Sequence, residues 1–485
     1  MKSSNATQAA FLAAREATGP EPISLWTVMR GYRPDPLERW TRIRQEHGPV
    51  ARYRFAGRDS YFVSGAEGIG RILQENAANY TKEHPSYGML RRLFGNGLFT
   101  SEGSFWLRQR RLAQPAFHRQ RIAAMGSVMT KAAEETAERW EQLESKGEPI
   151  LMLPEMARLT LRVVGDTMFG ASLAARASAV GAAWEVLNAQ LAERFTRMRL
   201  LPPILPTRYD RDFRNARGTM LAVVDEIIAL KRAQQTESND LLSILMNARD
   251  QDTGERMTDG QLRDEVITML FAGHETTAIA LTWTWTLLSR HTDKAERLQA
   301  ELAAVLGGRT PTVDDVPRLT YVRHVVDEVL RLHPPAYIVN RHTAEDDIVS
   351  GFRIHRGGSI AISPLITHRD PDYWDRPEEF LPERWQDPAA EARRPRFAYL
   401  PFGGGPRLCI GNTFALTEAV LLLAVLAQRF EPRLVEGYEP RPEYLVVARP
   451  SRGAPMRLVR RRTAASSEIT PLTYQARSDG SYGTW

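Results

Sequence analysis

The chain has 485 residues, with 64 Lys and Arg against 58 Asp and Glu for a formal charge of +6, and it contains one cysteine. A single thiol excludes an intrachain disulfide, zinc sites that need two thiolates, and any iron–sulfur cluster held by four cysteines of this chain. Hydrophobic (43%) and charged (25%) fractions at ordinary globular values imply a folded chain, long enough for a large core.

In chain order, apolar spacing predicts helices over Pro36–Glu46, Gly126–Glu144, Met156–Met168 and Phe213–Arg232, a long one over Thr258–Arg290, and another over Asp293–Leu306. Val50–Ser64 alternates as a hairpin turning at Ala56-Gly57-Arg58-Asp59, and Ile338–Ser363 reads as two or three short strands around Ser350-Gly351 and Gly357-Gly358. A strongly apolar helical run follows from Thr413 to Phe430, and Arg433–Val459 gives further short strands broken by prolines. The pattern predicts a mainly α chain with small peripheral β-sheets, an α+β class. No Gly/Ser-rich or Pro-rich linker divides residues 30–462, so one large domain is expected there, after an N-terminal segment 1–29 and before a polar tail, 463–485, without periodicity.

No stretch reaches the ~18 uncharged apolar residues of a membrane-spanning helix. No export leader is visible, so a cytoplasmic location is expected. The positive excess is scattered arginine, densest at Arg460, Arg461 and Arg462. Without a nucleic-acid motif it suits a face that docks an acidic protein partner, and no nucleic acid.

Cys409 sits in Phe402-Gly403-Gly404-Gly405-Pro406-Arg407-Leu408-Cys409-Ile410-Gly411, a glycine-dense turn that feeds a helix. Glycines let backbone approach something flat and large, and the N–H groups of a helix start favour thiolate over thiol. A metal-bound thiolate fits this context; a nucleophile or an inert buried thiol stays open. In the Thr258–Arg290 pattern, Ala272-Gly273-His274-Glu275-Thr276-Thr277 brings together poor helix-interior residues, which predicts a local opening of the hydrogen-bond ladder.

The cysteine segment resembles the haem-binding loop of the cytochrome P-450 superfamily, soluble bacterial type, with Phe402, Gly405, Arg407, Cys409 and Gly411 at the family's spacing. The resemblance implies the P-450 fold, a single helical haem domain, and haem b with Cys409 as proximal ligand to its iron. Phe402 would pack by the thiolate, Gly403 and Gly411 would belong to the haem loop, and Arg407 would pair with a propionate. Gly103, Trp106, Arg110, Arg111, Pro115, Phe117 and His118 resemble the haem-facing early helix, which implies propionate contacts from Trp106 and Arg110. Arg341 falls where another propionate arginine often lies. Lys82 is a weaker candidate, expected to be solvated.

Glu328 and Arg331, one turn apart, resemble the family's structural helix pair, onto which Arg384 of Phe380–Trp385 would lock; Trp385 stands where Phe is usual. Ala272–Thr277 resembles the oxygen-binding groove, with Ala272 against the haem, Thr276 donating to bound dioxygen and Glu275 relaying protons. Positions that line the family's substrate cavity correspond to Phe94, Phe99, Phe195, Phe271, Ala336, Ile338 and Val339, an apolar inventory. Arg194, Arg197 and Arg199 near its entrance read as solvated cations.

The implied activity is a monooxygenase that inserts one oxygen atom, by hydroxylation or epoxidation, into an apolar substrate such as a fatty acid, terpenoid or polyketide-like metabolite. Electrons would come from NAD(P)H only indirectly, through a ferredoxin or flavodoxin and its reductase, with an acidic donor docking on a monomer. A peroxygenase or isomerase, or a non-catalytic haem or ligand sensor, are the alternatives.

Overall fold

The computed structural model describes residues 10–20, 35–55, 58–170, 173, 176–196, 208–233, 240–250 and 254–461. Residues 1–9 and 21–29 of the N-terminal segment, the tail 463–485, Arg197, Arg199 and the side chains of Arg194 and Phe195 lie outside the described residues.

The chain runs through α1 (Pro36–His47), the hairpin β1 (Val50–Phe55) and β2 (Arg58–Val63), α2 (Ala66–Gly70) and β3 (Tyr80–Thr81). Next come α3 (Pro85–Phe94), α4 (Gly103–Ala113), α5 (Arg119–Glu144), β4 (Ile150–Leu151) and α6 (Met152–Val164). They are followed by α7 (Ala177–Thr196), α8 (Arg208–Ala233), α9 (Leu241–Asn247), α10 (Asp259–Arg290), α11 (Thr292–Leu306) and α12 (Thr320–Leu332). The last third holds β5 (Val339–Thr343), β6 (Asp347–Val349), β7 (Phe352–Ile354), β8 (Ser359–Ile362), α13 (Pro364–Thr367), α14 (Pro388–Arg393) and α15 (Asn412–Arg429). It closes with β9 (Arg433–Leu434), β10 (Pro442–Tyr444), β11 (Ala448–Pro450) and β12 (Pro455–Arg457). The mainly helical class read from the sequence holds, with the sheets small.

Local chemistry sets these limits. Thr258 caps α10 through the Gln261 N–H while Gln261 reaches back to the Thr258 N–H, and Asp259 and Arg290 sit at the ends that favour their charges. α10 is buried on nearly every side, with Leu262, Val266, Leu270, Ile279, Leu281 and Trp283 in the core, and it packs on α6, α8, α12 and α15. Apolar burial of this kind contributes ~25 cal/mol per Å². α5 starts at Arg119, one full turn or more before the predicted Gly126, because Ile122 is also buried.

One sheet has the order β1-β2-β8-β5-β3, with β2 and β8 parallel and the other pairs antiparallel. Residues 338–363 hold four strands, more than the two or three expected. Ser350 (φ 48°) and Gly351 (φ 80°) make the turn of a separate hairpin, β6–β7, in the left-handed conformations that suit two-residue loops. The sheet has its own apolar cluster around Val50, Tyr61, Ile69 and Ile360, beside the large helical core.

Candidate functional site

The segment 402–411 crosses between the sheet cluster and α15. The Cys409 N–H donates to the Phe402 carbonyl at 3.0 Å and Leu408 N–H to Gly405 at 3.1 Å, which folds the loop back on itself. Gly403 and Gly405 take φ of 70° and 62°. A Cβ on Gly405 would lie 1.7 Å from the Leu73 carbonyl oxygen, so only glycine fits there. Cys409 is exposed at its surface, yet dense protein around the loop pushes its thiol pKa up. The Gly411 N–H and the Arg110 guanidinium oppose that push and favour thiolate. Phe402 packs against the main core.

Around this loop cations gather. The Arg407 guanidinium lies 3.7 Å above the Trp106 ring, donates to the Ser101 carbonyl at 2.9 Å and pairs with Glu102 at 2.8 Å. Arg110, one turn after Trp106 on α4, donates to the Leu408 carbonyl at 2.7 Å. Arg341 on β5 is buried and meets the Tyr87 hydroxyl at 3.3 Å and its neighbour's carbonyl, Asn340, at 2.8 Å.

Lys82 corrects the sequence reading. It is buried, not solvated, with its ammonium donating to the Phe99 carbonyl at 2.6 Å and 5.2 Å from the rings of Tyr87 and Phe99. Burial first, then Arg407 and Arg341, hold its pKa well below the usual lysine range. Burial, with Arg341 adding repulsion, lowers Arg407 to about 10. Glu102 offsets part of that repulsion, and a further anion would relieve more of it.

On α10, Ala272 is exposed and Thr276 half-buried, so one stripe of this otherwise buried helix is open. The predicted opening of the ladder is absent: α10 runs unbroken from Asp259 to Arg290. The threonines donate back to the helix instead, Thr276 to the Ala272 carbonyl at 2.8 Å and Thr277 to Gly273 at 3.3 Å. Gly273 serves packing, since a Cβ there would lie 3.0 Å from Val164 of α6.

Glu275 is buried, and burial raises its pKa to about 7; Trp184 and Arg449 pull it down, Glu185 pushes it up. His274, also buried, bonds through Nδ1 to the Leu270 carbonyl at 2.7 Å, and burial lowers its pKa to about 4. The imidazole is therefore neutral, with Nδ1 the protonated nitrogen and Nε2 3.9 Å from the Glu275 carboxyl.

The apolar candidates divide. Phe94, Phe99 and Phe271 form a linked group, with Phe94 5.5 Å from Phe271 and 6.0 Å from Phe99, both edge-on. Trp184 of α7, which sequence reasoning missed, lies 4.3 Å from Phe271 with its ring tilted by 37°. Ala336 is exposed. Ile338 packs instead on Ile43 of α1 and the sheet residues Ala51 and Phe62, and Val339 on the other sheet cluster.

Glu328, Arg331 and Arg384 meet as one buried network. The Glu328 carboxylate receives Arg331 Nε and Nη2 at 2.9 Å, Arg384 Nε at 2.9 Å, and Leu381 N–H and Trp385 Nε1 at 3.0 Å. Trp385 thus supplies a donor that the usual Phe lacks.

The structure thus holds a lone thiol with N–H support beside a group of cations, and on α10 an open stripe that carries an alcohol next to a buried acid. A family model for Cytochrome P450 matches residues 18–454, and the chain belongs to that family. It is 38% identical over 418 residues to "Cyclooctatin synthase" of Streptomyces melanosporofaciens, covering 84% of this chain and 89% of that protein. It is 33% identical over 454 residues to "Pentalenene oxygenase" of Streptomyces avermitilis, covering 92% and 98%. "Cyclooctat-9-en-7-ol 5-monooxygenase" of Streptomyces melanosporofaciens is 33% identical over 393 residues, covering 81% and 84%. The protein is a cytochrome P450 monooxygenase, an oxidoreductase that works with haem and with redox partners. Among the described residues no helix is long and apolar enough to cross a membrane.

The donor set fits the haem that the family implies. Among the described residues no group of three or more His, Cys, Asp or Glu side chains could hold a bare metal ion, so a metal at Cys409 would have to bring most of its own ligands, as a porphyrin does. The nearby cations suit a porphyrin's two carboxylates.

Proposed function

We propose that residues 30–462 form one haem domain that oxidises terpenoids. Cys409 would hold the iron of haem b, with Phe402, Gly403 and Gly411 shaping the loop, and Trp106, Arg110, Arg341, Arg407 and Lys82 would receive the propionates. The observation that carries this reading is the convergence of those cations beside the chain's one thiol. When bound, haem supplies the iron at which dioxygen is activated.

The protein's own part is proton control. Thr276 now gives its hydroxyl hydrogen to the Ala272 carbonyl. Rotation about χ1 would free that hydrogen for another acceptor without opening the helix, because the Thr276 backbone N–H lies in the intact ladder. Glu275, raised to about 7, is neutral and ionised in comparable amounts near neutral pH, which suits an acid that passes protons on. The aromatic group of Phe94, Phe99, Phe271 and Trp184 supports an apolar substrate, and relatives named for pentalenene, cyclooctatin and cyclooctat-9-en-7-ol narrow it to cyclic terpenoids.

Electrons would pass from NAD(P)H through a reductase and an acidic ferredoxin or flavodoxin to a cytoplasmic monomer. Exposed His118 and Arg119 support that docking, because they follow Phe117, the ring nearest Gly411. The test is turnover of pentalenene and of cyclooctat-9-en-7-ol with a surrogate ferredoxin, its reductase and NADPH. Hydroxylated product is expected from the wild type; Thr276→Ala should consume NADPH at a similar rate but release peroxide in place of product. No spin-state shift with any cyclic terpenoid would refute the substrate class, and unchanged coupling in Thr276→Ala would refute the proton role.

A further inference from the structure

The segment between α3 and α4, residues 95–102, lies across the N-terminal part of α10. Two carboxylates of α10 accept its backbone N–H groups: Asp264 takes Asn96 at 2.8 Å and Glu265 takes Leu98 at 3.1 Å. The fit is close. A Cβ on Gly95 would lie 1.9 Å from the Asp264 carboxylate, and one on Gly97 2.6 Å from the Asp264 carbonyl and the Thr268 hydroxyl. Glu265 reaches further, since its second oxygen accepts Gln109 Nε2 of α4 at 2.9 Å. Glu265 and Gln109 are both fully buried, and the Gln109 carbonyl oxygen has no partner.

The loop's carbonyls are held from the opposite side. Phe99 is bonded by Lys82 at 2.6 Å, Thr100 by Arg91 at 2.9 and 3.1 Å, and Ser101 by Arg407 at 2.9 Å. A short loop pinned by five charged side chains is far more constrained than surface loops usually are. It carries Phe99, the most exposed ring of the aromatic group, and follows directly on Phe94.

We propose that Glu265 is a specificity-determining positioning residue: by clasping Leu98 of the loop and Gln109 of α4 to α10, it sets where Phe94 and Phe99 stand over the substrate pocket. The inference rests on the pocket assignment made above. Glu265 touches no aromatic ring itself; it acts through the loop. Without the clasp the loop would have to be ordered when a bulky ligand binds, and that ordering weakens binding. A ligand too small to reach the loop would feel nothing.

Hydrogen bonding, not charge, performs this task, and the orphaned Gln109 oxygen makes the point testable. In Glu265→Gln the new amide can accept from Leu98 and donate to Gln109 once the Gln109 amide turns over, so both bonds survive and one Gln109 group stays unpartnered as before. Glu265→Ala removes both bonds.

The haem-loaded protein is titrated with imidazole, a small iron ligand, and with clotrimazole, a bulky one, and hydrogen exchange is followed in the peptide covering 95–102. Glu265→Ala should raise the dissociation constant for clotrimazole about tenfold, leave that for imidazole within twofold, and speed exchange in 95–102. Glu265→Gln should match the wild type on all three. Equal effects of Glu265→Ala on both azoles, unchanged exchange, or a Glu265→Gln variant that behaves like Glu265→Ala would overturn the proposal. Should Glu265→Ala fail to take up haem, Gln109→Leu, which cuts the α4 bond alone, carries the test: about threefold for clotrimazole supports it and no change refutes it. Neither azole is a terpenoid, so an error in the substrate class leaves these readouts intact.

Discussion

Glu328→Gln is the substitution whose cost the structure defines most closely. The carboxylate is fully buried and accepts five hydrogen bonds, three at Oε1 from Arg331 Nη2, Arg384 Nε and Leu381 N–H, and two at Oε2 from Arg331 Nε and Trp385 Nε1. An amide that keeps its oxygen at Oε1 turns its NH₂ toward the other two donors, so two bonds become donor–donor contacts. At ~1.5–3 kcal/mol for each bond to a charged group, the loss is about 3–6 kcal/mol. The independent expectation for breaking a buried ion pair from one side is ~3–5 kcal/mol. Arg331, also fully buried, keeps its bonds to the carbonyls of His368 and Pro377 but loses its counter-charge. Against a total of ~5–15 kcal/mol for a folded domain, the variant should be marginal at 37 °C. Urea unfolding followed by tryptophan fluorescence, with haem uptake read in parallel, measures this. Arg176→Ala, which cuts an exposed pair with Glu226, is the control and should leave the midpoint close to that of the wild type. A Glu328→Gln midpoint within about 1 kcal/mol of the wild type would refute the reasoning.

Burial raises the Glu275 pKa from 4.5 to about 7, so the neutral acid is the form the fold prefers. Its contribution is complete below pH 4.5 and is lost as pH rises through 7, at most about 3 kcal/mol at 1.36 kcal/mol per pH unit; Glu275→Gln should flatten that part of the stability profile, and parallel wild-type and variant curves between pH 5 and 8 would contradict it. Gly405→Ala meets the Leu73 carbonyl as well as its own unfavourable φ and should cost about 2–5 kcal/mol, whereas Gly403→Ala, with nothing within 4 Å, should cost ~1–2 kcal/mol; equal midpoints would show that the loop does not sit where the structure has it. Glu418 on α15 is fully buried, and burial raises its pKa well above the usual range, with the Thr277 hydroxyl of α10 opposing that push. Glu418→Met should therefore stabilise the chain by about 1–3 kcal/mol in urea unfolding, and a loss would show that the Thr277 contact outweighs the cost of burying that carboxyl.

What could be read from the sequence was local. The Cys409 loop and the Ala272–Thr277 segment each carry their residues within about ten positions, so the resemblance to the family could be read from them. α10 carries its cap and its charges within its own sequence, and its start at Thr258 was legible for that reason. Lys82 was misread because a lone lysine is ordinarily solvated; the groups that bury it, Tyr87 of α3 and the Phe99 carbonyl of the loop, are brought to it by the fold. Gly273 was misread because glycine weakens an isolated helix, whereas here its missing Cβ admits Val164 from α6. Trp184, Glu265 and Glu418 find their neighbours across helix packings that no periodicity reports.

The same physics explains why α10 can serve two ends at once. Its first turns present carboxylates whose only partners can be donors brought from elsewhere, and the loop 95–102 answers with backbone N–H groups. That commitment leaves the loop's carbonyls facing the other way, where Lys82, Arg91 and Arg407 take them up. Arg407 also spans Glu102 and the Trp106 ring, so a single guanidinium joins the loop to the cations beside Cys409. A planar group with several donors can make those contacts together; a lysine, with one ammonium, has to choose among them. The loop 95–102 and the cations beside Cys409 are therefore parts of one hydrogen-bonded unit.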